Sequence, residues 1–266
     1  MNKTNAKPER EKGPLRQRST NNRGRQAQVV GVDAMHMKTI GLLGGMSWES
    51  TATYYQMINE GVKAKLGGLH SAKIYLYSVD FHEIEKLQHS GDWAATARIL
   101  SNAATGLETA GAEFLVICTN TMHKVAPQIE RSINIPLLHI ADATAEKIKA
   151  KGIKSVGLLG TKFTMEQEFY KGRLESKYGL EVYIPDQNDR EIVHDVIYNE
   201  LCLGQIKEKS RDEYLRIIEK LASKGAEAVI LGCTEIALLV KQDQTAVPLF
   251  DTTKLHAESA VELAVE

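Results

Sequence analysis

The chain has 266 residues, 43% of them apolar and 25% charged, with a net charge of −1. This is ordinary globular composition, long enough for two small domains, and it gives the whole protein no electrostatic reason to seek nucleic acid or a membrane. No apolar run reaches the roughly 18 residues of a spanning helix. No signal peptide is expected, and the three widely spaced cysteines suggest neither a disulfide framework nor a metal site, so a reducing, cytoplasmic location is expected.

Residues 1–36 differ in kind from the rest. Lys3, Lys7, Arg10, Lys12, Arg16, Arg18, Arg23 and Arg25 alternate with Asn, Gln, Ser and Gly, and large apolar residues are scarce. Such a stretch cannot bury enough surface to offset the entropy of ordering it. It reads as a disordered basic leader rather than a nucleic-acid arm or targeting peptide.

From Met37 onward, short apolar runs alternate with helical patterns. Strands are expected at 39–43, 73–79, 114–118, 136–140, 155–159, 181–184, 228–231 and 248–250. The runs ending at Leu43, Cys118, Leu159 and Leu231 are continuously apolar, as in parallel strands buried on both faces. Between Trp93 and Ala110, Ala97, Leu100, Ala104, Leu107 and Ala110 recur at three- and four-residue steps and predict one apolar helix stripe.

The chain also repeats itself. Lys38–Gly44 recurs as Lys154–Gly160, and Ile135–Leu138 recurs as Val247–Phe250. Gly111-Ala112-Glu113, an apolar run and Thr119-Asn120-Thr121 recur without a gap as Gly225-Ala226-Glu227, an apolar run and Cys233-Thr234-Glu235. The expectation is an α/β protein of two pseudo-symmetric, doubly wound domains. Each has a four-stranded parallel sheet, and the active site lies in the cleft between them. The halves would span 37–141, completed by a C-terminal helix at 252–266, and 142–251.

Ligands of such sheets bind beyond the carboxyl ends of the strands, where Thr119 and Cys233 stand. A helix starting after Cys233 would stabilise its thiolate and lower its pKa. The amides of Thr234 and Glu235, mirrored by Asn120 and Thr121, would cradle anions. A small carboxylic acid held between the halves could then lose a proton on one face and regain it on the other. Side-chain alternation turns Cys118 away, into the sheet packing. Gly44-Gly45 lacks the spacing of a phosphate loop and reads as a bare turn that a ligand can approach. His123, His139 and His256 are not at metal-ligand spacing and read as structural.

Gly-Gly-Met at 44–46, Thr119-Asn120-Thr121-Met122-His123 and Gly232-Cys233-Thr234-Glu235 together resemble the cofactor-independent aspartate/glutamate racemase family, over essentially all of 37–266. Thr-Asn-Thr in place of the usual Cys-Asn-Thr, with Ser47-Trp48-Glu49-Ser50-Thr51 and Asp80-Phe81-His82-Glu83-Ile84, resembles its L-aspartate/glutamate-specific branch. The resemblance implies a homodimer acting on a small amino acid without pyridoxal phosphate or metal. It makes Cys233 the base for L substrates and puts Thr119 where a second cysteine would reprotonate the carbanion. Gly45, Met46, Thr161 and Thr164 would bind ligand oxygens. Gln88, Arg98, Lys162 and Lys207 are candidates for the side-chain carboxylate, and Cys202 stands where relatives place a lysine. A threonine is a poor base, so turnover should be kinetically biased to L substrates. Loss of the first thiol also leaves open a single-cysteine decarboxylase, a maleate-type isomerase, or a non-catalytic carboxylate-binding protein.

Overall fold

The computed structural model describes Met1 and residues 36–266, so nearly all of the expected leader lies outside the described residues. Two four-stranded sheets, all parallel, account for the eight expected strands. The first, in order β2-β1-β3-β4, comprises β1 (Ile40–Gly44), β2 (Ile74–Ser78), β3 (Phe114–Ile117) and β4 (Leu137–Leu138). The second, in order β6-β5-β7-β8, comprises β5 (Ser155–Gly160), β6 (Glu181–Tyr183), β7 (Ala228–Gly232) and β8 (Leu249–Asp251). β4 is shorter than expected because Pro136 has no N–H to donate and His139 already caps the next helix.

The helices in chain order are α1 (Trp48–Leu66), α2 (Phe81–Ser90), α3 (Trp93–Ala110), α4 (Ala126–Glu130), α5 (Ile140–Ala150), α6 (Lys162–Glu166), α7 (Lys171–Tyr178), α8 (Gln187–Asn199), α9 (Glu208–Ser223), α10 (Ile236–Leu239) and α11 (Thr252–Ala264). Local chemistry sets their ends. Ser47, Asp80 and Asp92 cap α1, α2 and α3 with side-chain oxygens, and left-handed Gly91 and Gly111 stop α2 and α3. The stripe on α3 is buried at Ala97, Leu100, Ala104 and Leu107 against the first sheet. Ala110 is exposed, at the last helical position before left-handed Gly111 ends α3.

Both sheets use glycine alike. A Cβ on Gly44 would lie 2.3 Å from Thr51 of α1, and one on Gly160 would lie 3.1 Å from Thr164 of α6. Bare strand ends thus let the following helix start close beneath the sheet's carboxyl edge.

The halves exchange their last helices. α5 follows the first sheet, yet Ile140, Ala141, Ala145 and Ile148 are buried in the core around the second. α11 follows the second sheet, yet Ala257, Ala260, Val261 and Ala264 pack with Ile40, Leu42, Tyr54 and Phe114 around the first. Lys38 N donates to Ala264 O at 2.9 Å, extending that attachment to the chain's end. The exchange packs α5 against α11 and sets the carboxyl ends of β1 and β3 facing those of β5 and β7.

Candidate active site

Residues from both sets of strand ends enclose one small cavity of about 40 Å³. That is room for about three waters. Thr119, Asn120, Thr121 and Met122 line it from the end of β3, and Gly232, Cys233, Thr234 and Glu235 from the end of β7. Met46 and Ser47 enter from the β1–α1 turn, Thr161 from the β5–α6 turn, Phe81 and Gln88 from α2, and Ile197, Tyr198 and Cys202 from α8 and the turn after it.

Most of the residues expected at the site are therefore together: Cys233, Thr119, Met46, Gln88, Asn120, Thr121, Thr161, Thr234 and Glu235. Gly45 and Thr164 do not line the cavity. Gly45, at φ +90°, is backed by Val79 O, only 2.3 Å from where a Cβ would sit, and its amide donates to Thr51 Oγ1 at 2.8 Å. Its backbone is committed internally instead of open to a ligand. Thr164 is fully buried beneath Thr161, with 3.3 Å between their hydroxyls. The proper counterparts of Thr161 and Thr164 are Ser47 and Ser50: each pair is a helix cap and the residue whose amide it accepts.

This correspondence shows how the two faces differ. Thr121 Oγ1 meets Thr161 Oγ1 at 3.3 Å across the cleft. In the mirrored place stands a carboxylate, Glu235. Its Oε1 accepts from Ser50 Oγ at 2.9 Å and Ser47 Oγ at 3.3 Å; its Oε2 accepts from Thr234 Oγ1 and, at 2.9 Å, from the Cys233 thiol. Four donors converge on a group that, when ionised, can only accept. The face that carries Thr119 pairs hydroxyl with hydroxyl, at Thr121 and Thr161, whereas Cys233 has a carboxylate as an acid–base partner.

The thiol's titration runs opposite to the helix-terminus expectation. Although the residue is part-exposed to the cavity, its sulfur lies deep, and burial followed by the charge of Glu235 pushes the thiol well above its ordinary range. The expected helix, α10, is only four residues long, and Glu235 folds back onto the sulfur. Cys202, on the same wall, is pushed up to about 12 by burial. Cys118 is fully buried in the first half's core, and burial raises its thiol too.

Asn120 is held by a one-way chain. Its Nδ2 donates to Thr252 Oγ1 at 3.1 Å, and that hydroxyl donates to Leu231 O at 2.9 Å. The chain fixes the amide's orientation and leaves Asn120 Oδ1 buried without a partner. Behind Thr119, His123 Nδ1 donates to Thr119 O at 2.8 Å while its Nε2 accepts from Ile140 N, so its ring braces the strand end. His256 donates to Leu138 O and pairs with Tyr54, and burial lowers its pKa to about 4. The histidines are structural supports, and no group of His, Cys, Asp or Glu suited to a metal ion occurs among the described residues.

Sequence reasoning missed Tyr198, Phe81 and Ile197. Gln88 Nε2 donates to Tyr198 OH at 2.6 Å, joining α2 of one half to α8 of the other across the cavity. Nothing in the sequence around Tyr198 distinguishes it from an ordinary helix residue. Ser47 and Ser50 carried a readable signal as the cap spacing before α1. Of the proposed cations, neither Arg98, Lys162 nor Lys207 lines the cavity; Lys207 is paired with Glu200 at 3.2 Å. Among the described residues no Lys or Arg lines it.

The family pattern for Asp/Glu/hydantoin racemases matches residues 43–260, a span that includes both strand-end motifs. The chain belongs to that family. As a member of the Asp/Glu/hydantoin racemases it is an amino-acid racemase, an isomerase. It is 62% identical to a Yersinia pestis protein whose crystal structure is assigned to the Asp/Glu racemases, with a TM-score of 0.83 over 86% of this chain and 100% of that one. An aspartate racemase homologue from Pyrococcus horikoshii is 39% identical, with a TM-score of 0.76 over 86% and 100% of the two chains. The broad specificity amino-acid racemase RacX of Bacillus subtilis is 23% identical over 84% of this chain and 96% of its own.

Proposed function

We propose that the cavity racemises aspartate or glutamate without a cofactor, with Cys233 removing the α-proton of the L enantiomer and the Thr119 side returning one to the opposite face. The observation that carries this reading is the Cys233–Glu235 contact set against Thr119 in the same register. In the resting site the proton is on sulfur. Passing it to Glu235 Oε2 turns the thiol–carboxylate pair into a thiolate–carboxylic acid pair, and the thiolate then takes the α-proton, leaving a carbanion and a thiol. Thr119 Oγ–H protonates the carbanion from the other side; Glu235 then gives its proton up to solvent and solvent restores the hydroxyl's proton, which returns the site to a thiol, a carboxylate and a hydroxyl. Asn120 Oδ1, an acceptor awaiting a donor, suits the substrate ammonium, while Thr121 and Thr161 offer hydroxyls to its carboxylate. L substrates thus meet a base and D substrates meet a hydroxyl, so the bias to L lies in rates, with equilibrium at equal amounts. Cytoplasmic residence suits a site that depends on a free thiol.

The cavity wall favours a second reading of the substrate. Phe81, Ile197, Met46, Met122 and Tyr198 are uncharged, and no described cation lines the wall to receive a second carboxylate. This supports amino acids with small neutral side chains. One experiment addresses both readings: separate D₂O incubations with L-Asp, L-Glu, small neutral L-amino acids and the D forms, following α-proton loss by NMR and chirality by chromatography. α-Proton exchange with D product from an L acid, reduced about 10³-fold in Cys233→Ala, is the expected result. Absence of exchange with every acid would remove the racemase mechanism assigned to Cys233.

A further inference from the structure

We infer that the proton Glu235 takes from the Cys233 thiol leaves through a second cleft behind the carboxylate, passed by the hydroxyls of Ser50 and Thr234 towards Asp251. This rests on the racemase reading above and gives that site a proton outlet separate from the substrate cavity. Thr234 and Glu235 line two cavities at once: the inner one, shared with Thr119 and Cys233, and an outer one of about 150 Å³. The outer one has room for about ten waters. Ser50, Thr234, Glu235, Asp251 and Thr253 form its more buried wall, and exposed Glu49, Thr53, Leu238 and Lys241 stand at its rim.

The hydroxyls are arranged to carry a proton. Ser50 Oγ lies 2.9 Å from Glu235 Oε1 and 2.6 Å from Thr234 Oγ1, and Thr234 Oγ1 bonds Glu235 Oε2. These three groups make three contacts in a ring, for which, with Glu235 ionised, the two hydroxyls supply only two protons. A proton on Glu235 supplies the third, so that each member donates once and accepts once. The proton arriving on Oε2 from sulfur then passes to Thr234 Oγ1 as that hydroxyl gives its own proton outward, directly or through Ser50. One O–H bond forms for each that breaks, and the carboxylate is restored.

A substrate that fills the inner cavity shuts Glu235 off from solvent on that side, and the outer cleft keeps a route open while the carbanion lives. Asp251 is the acceptor on that route. Its Oδ1 caps α11 by accepting from the amides of Thr253 and Lys254, at 2.9 and 3.2 Å, which leaves the lone pairs of Oδ2 for a proton. Burial raises its pKa despite the two amides, which suits a carboxylate that takes up a proton in passing. Thr253 Oγ1, buried on the same wall, has no hydrogen-bond partner in the protein and can bond solvent along the path. Glu49 adds a second carboxylate at the rim, while the cation there, Lys241, is bonded to Ala237 O. On the opposite face the row Thr121, Thr161, Thr164 ends in the core, because Thr164, the counterpart of Ser50, is fully buried. A proton on the Cys233 side therefore exchanges while substrate is bound, and one on the Thr119 side waits for product to leave.

The test is a ratio of two rates in D₂O: deuterium entry into recovered L substrate against formation of D product. L-Asp, L-Glu and L-Ala are run in separate tubes. The proteins compared are wild type, Thr53→Trp, which fills the cleft from the exposed face of α1, Asp251→Asn, which can still cap α11, and Asp251→Glu, which keeps an acid. The ratio should fall about tenfold in Thr53→Trp and Asp251→Asn, with D-product formation within about twofold of wild type, because Glu235 can shed its proton through the inner cavity once product has left. Asp251→Glu should keep the wild-type ratio. Damage to the site as a whole would lower both rates together and leave the ratio where it was. An unchanged ratio in Thr53→Trp and Asp251→Asn, with D product still formed, overturns the route and leaves the role of Cys233 standing. A wild type that neither exchanges nor inverts any of the three acids overturns both.

Discussion

The two strand ends that meet at the cavity share a backbone plan and differ in chemistry. After β3 come Thr119, Asn120 and Thr121, with Thr161 across the cleft; after β7 come Cys233, Thr234 and Glu235, with Ser47 and Ser50 across it. One face consists of hydroxyls and an amide. The other pairs a thiol with a carboxylate. The change at the cysteine position is thus accompanied by a change two residues later, and the ability to accept a proton has moved to one side as a unit. A thiol with its pKa raised by burial and by Glu235 is a poor base at rest, so the carboxylate that raises it is also the group placed to take its proton.

Making the faces alike should have the largest effect. Thr119→Cys would put a thiol on both faces, and exchange of D substrates in D₂O should rise by about 10²-fold or more, measured separately from L exchange. Unchanged D exchange would mean that the faces differ by more than the base. Thr119→Ala should separate two events that occur together in the wild type. Deuterium should still enter L substrate from the Cys233 side, while formation of D product falls by about 10²-fold. If exchange and inversion fall together, Thr119 is supporting the site as a whole.

Glu235→Gln removes a negative charge from beside the sulfur. Because that charge raises the thiol's pKa, its loss should move Cys233 titration to lower pH. Iodoacetamide labelling of Cys233 should therefore become faster at neutral pH, while racemisation slows for want of a proton acceptor. Because the thiolate is the base, the wild-type kcat/KM for L substrates should rise with pH as the thiol titrates, with the rise lying above the pH of about 8.5 at which a free cysteine titrates. Faster labelling combined with slower turnover is not the outcome of simple structural damage. The smallest effect is expected from Tyr198→Phe, which removes the acceptor for Gln88 but keeps the ring. KM should rise a few-fold with little change in kcat, and a loss confined to kcat would instead place the hydroxyl at the reacting atoms.

Much of the framework was legible because repetition and hydrophobic continuity are local properties. The eight strands follow from apolar runs, and the matching of Thr119 with Cys233 follows from counting residues after Gly111 and Gly225. Other parts were not legible. Gly45 reads as an open turn, but the end of β2 fills the space beside it. Glu235 reads as a residue at a helix start, but the serines of the other half and the neighbouring thiol turn it into the centre of a hydrogen-bond cluster. Tyr198 carries no motif and matters only because α8 is placed opposite α2.

The sequence by itself determined that there are two similar halves, where each strand ends, and that only one of the two equivalent positions carries a thiol. These are decided by side-chain type and by spacing along the chain. The tertiary structure decided which groups surround that thiol, that its pKa rises, and that the cavity wall lacks a described cation. Burial and Coulomb interactions act through space, between residues as far apart in the chain as Ser50 and Glu235, and no local pattern encodes that distance.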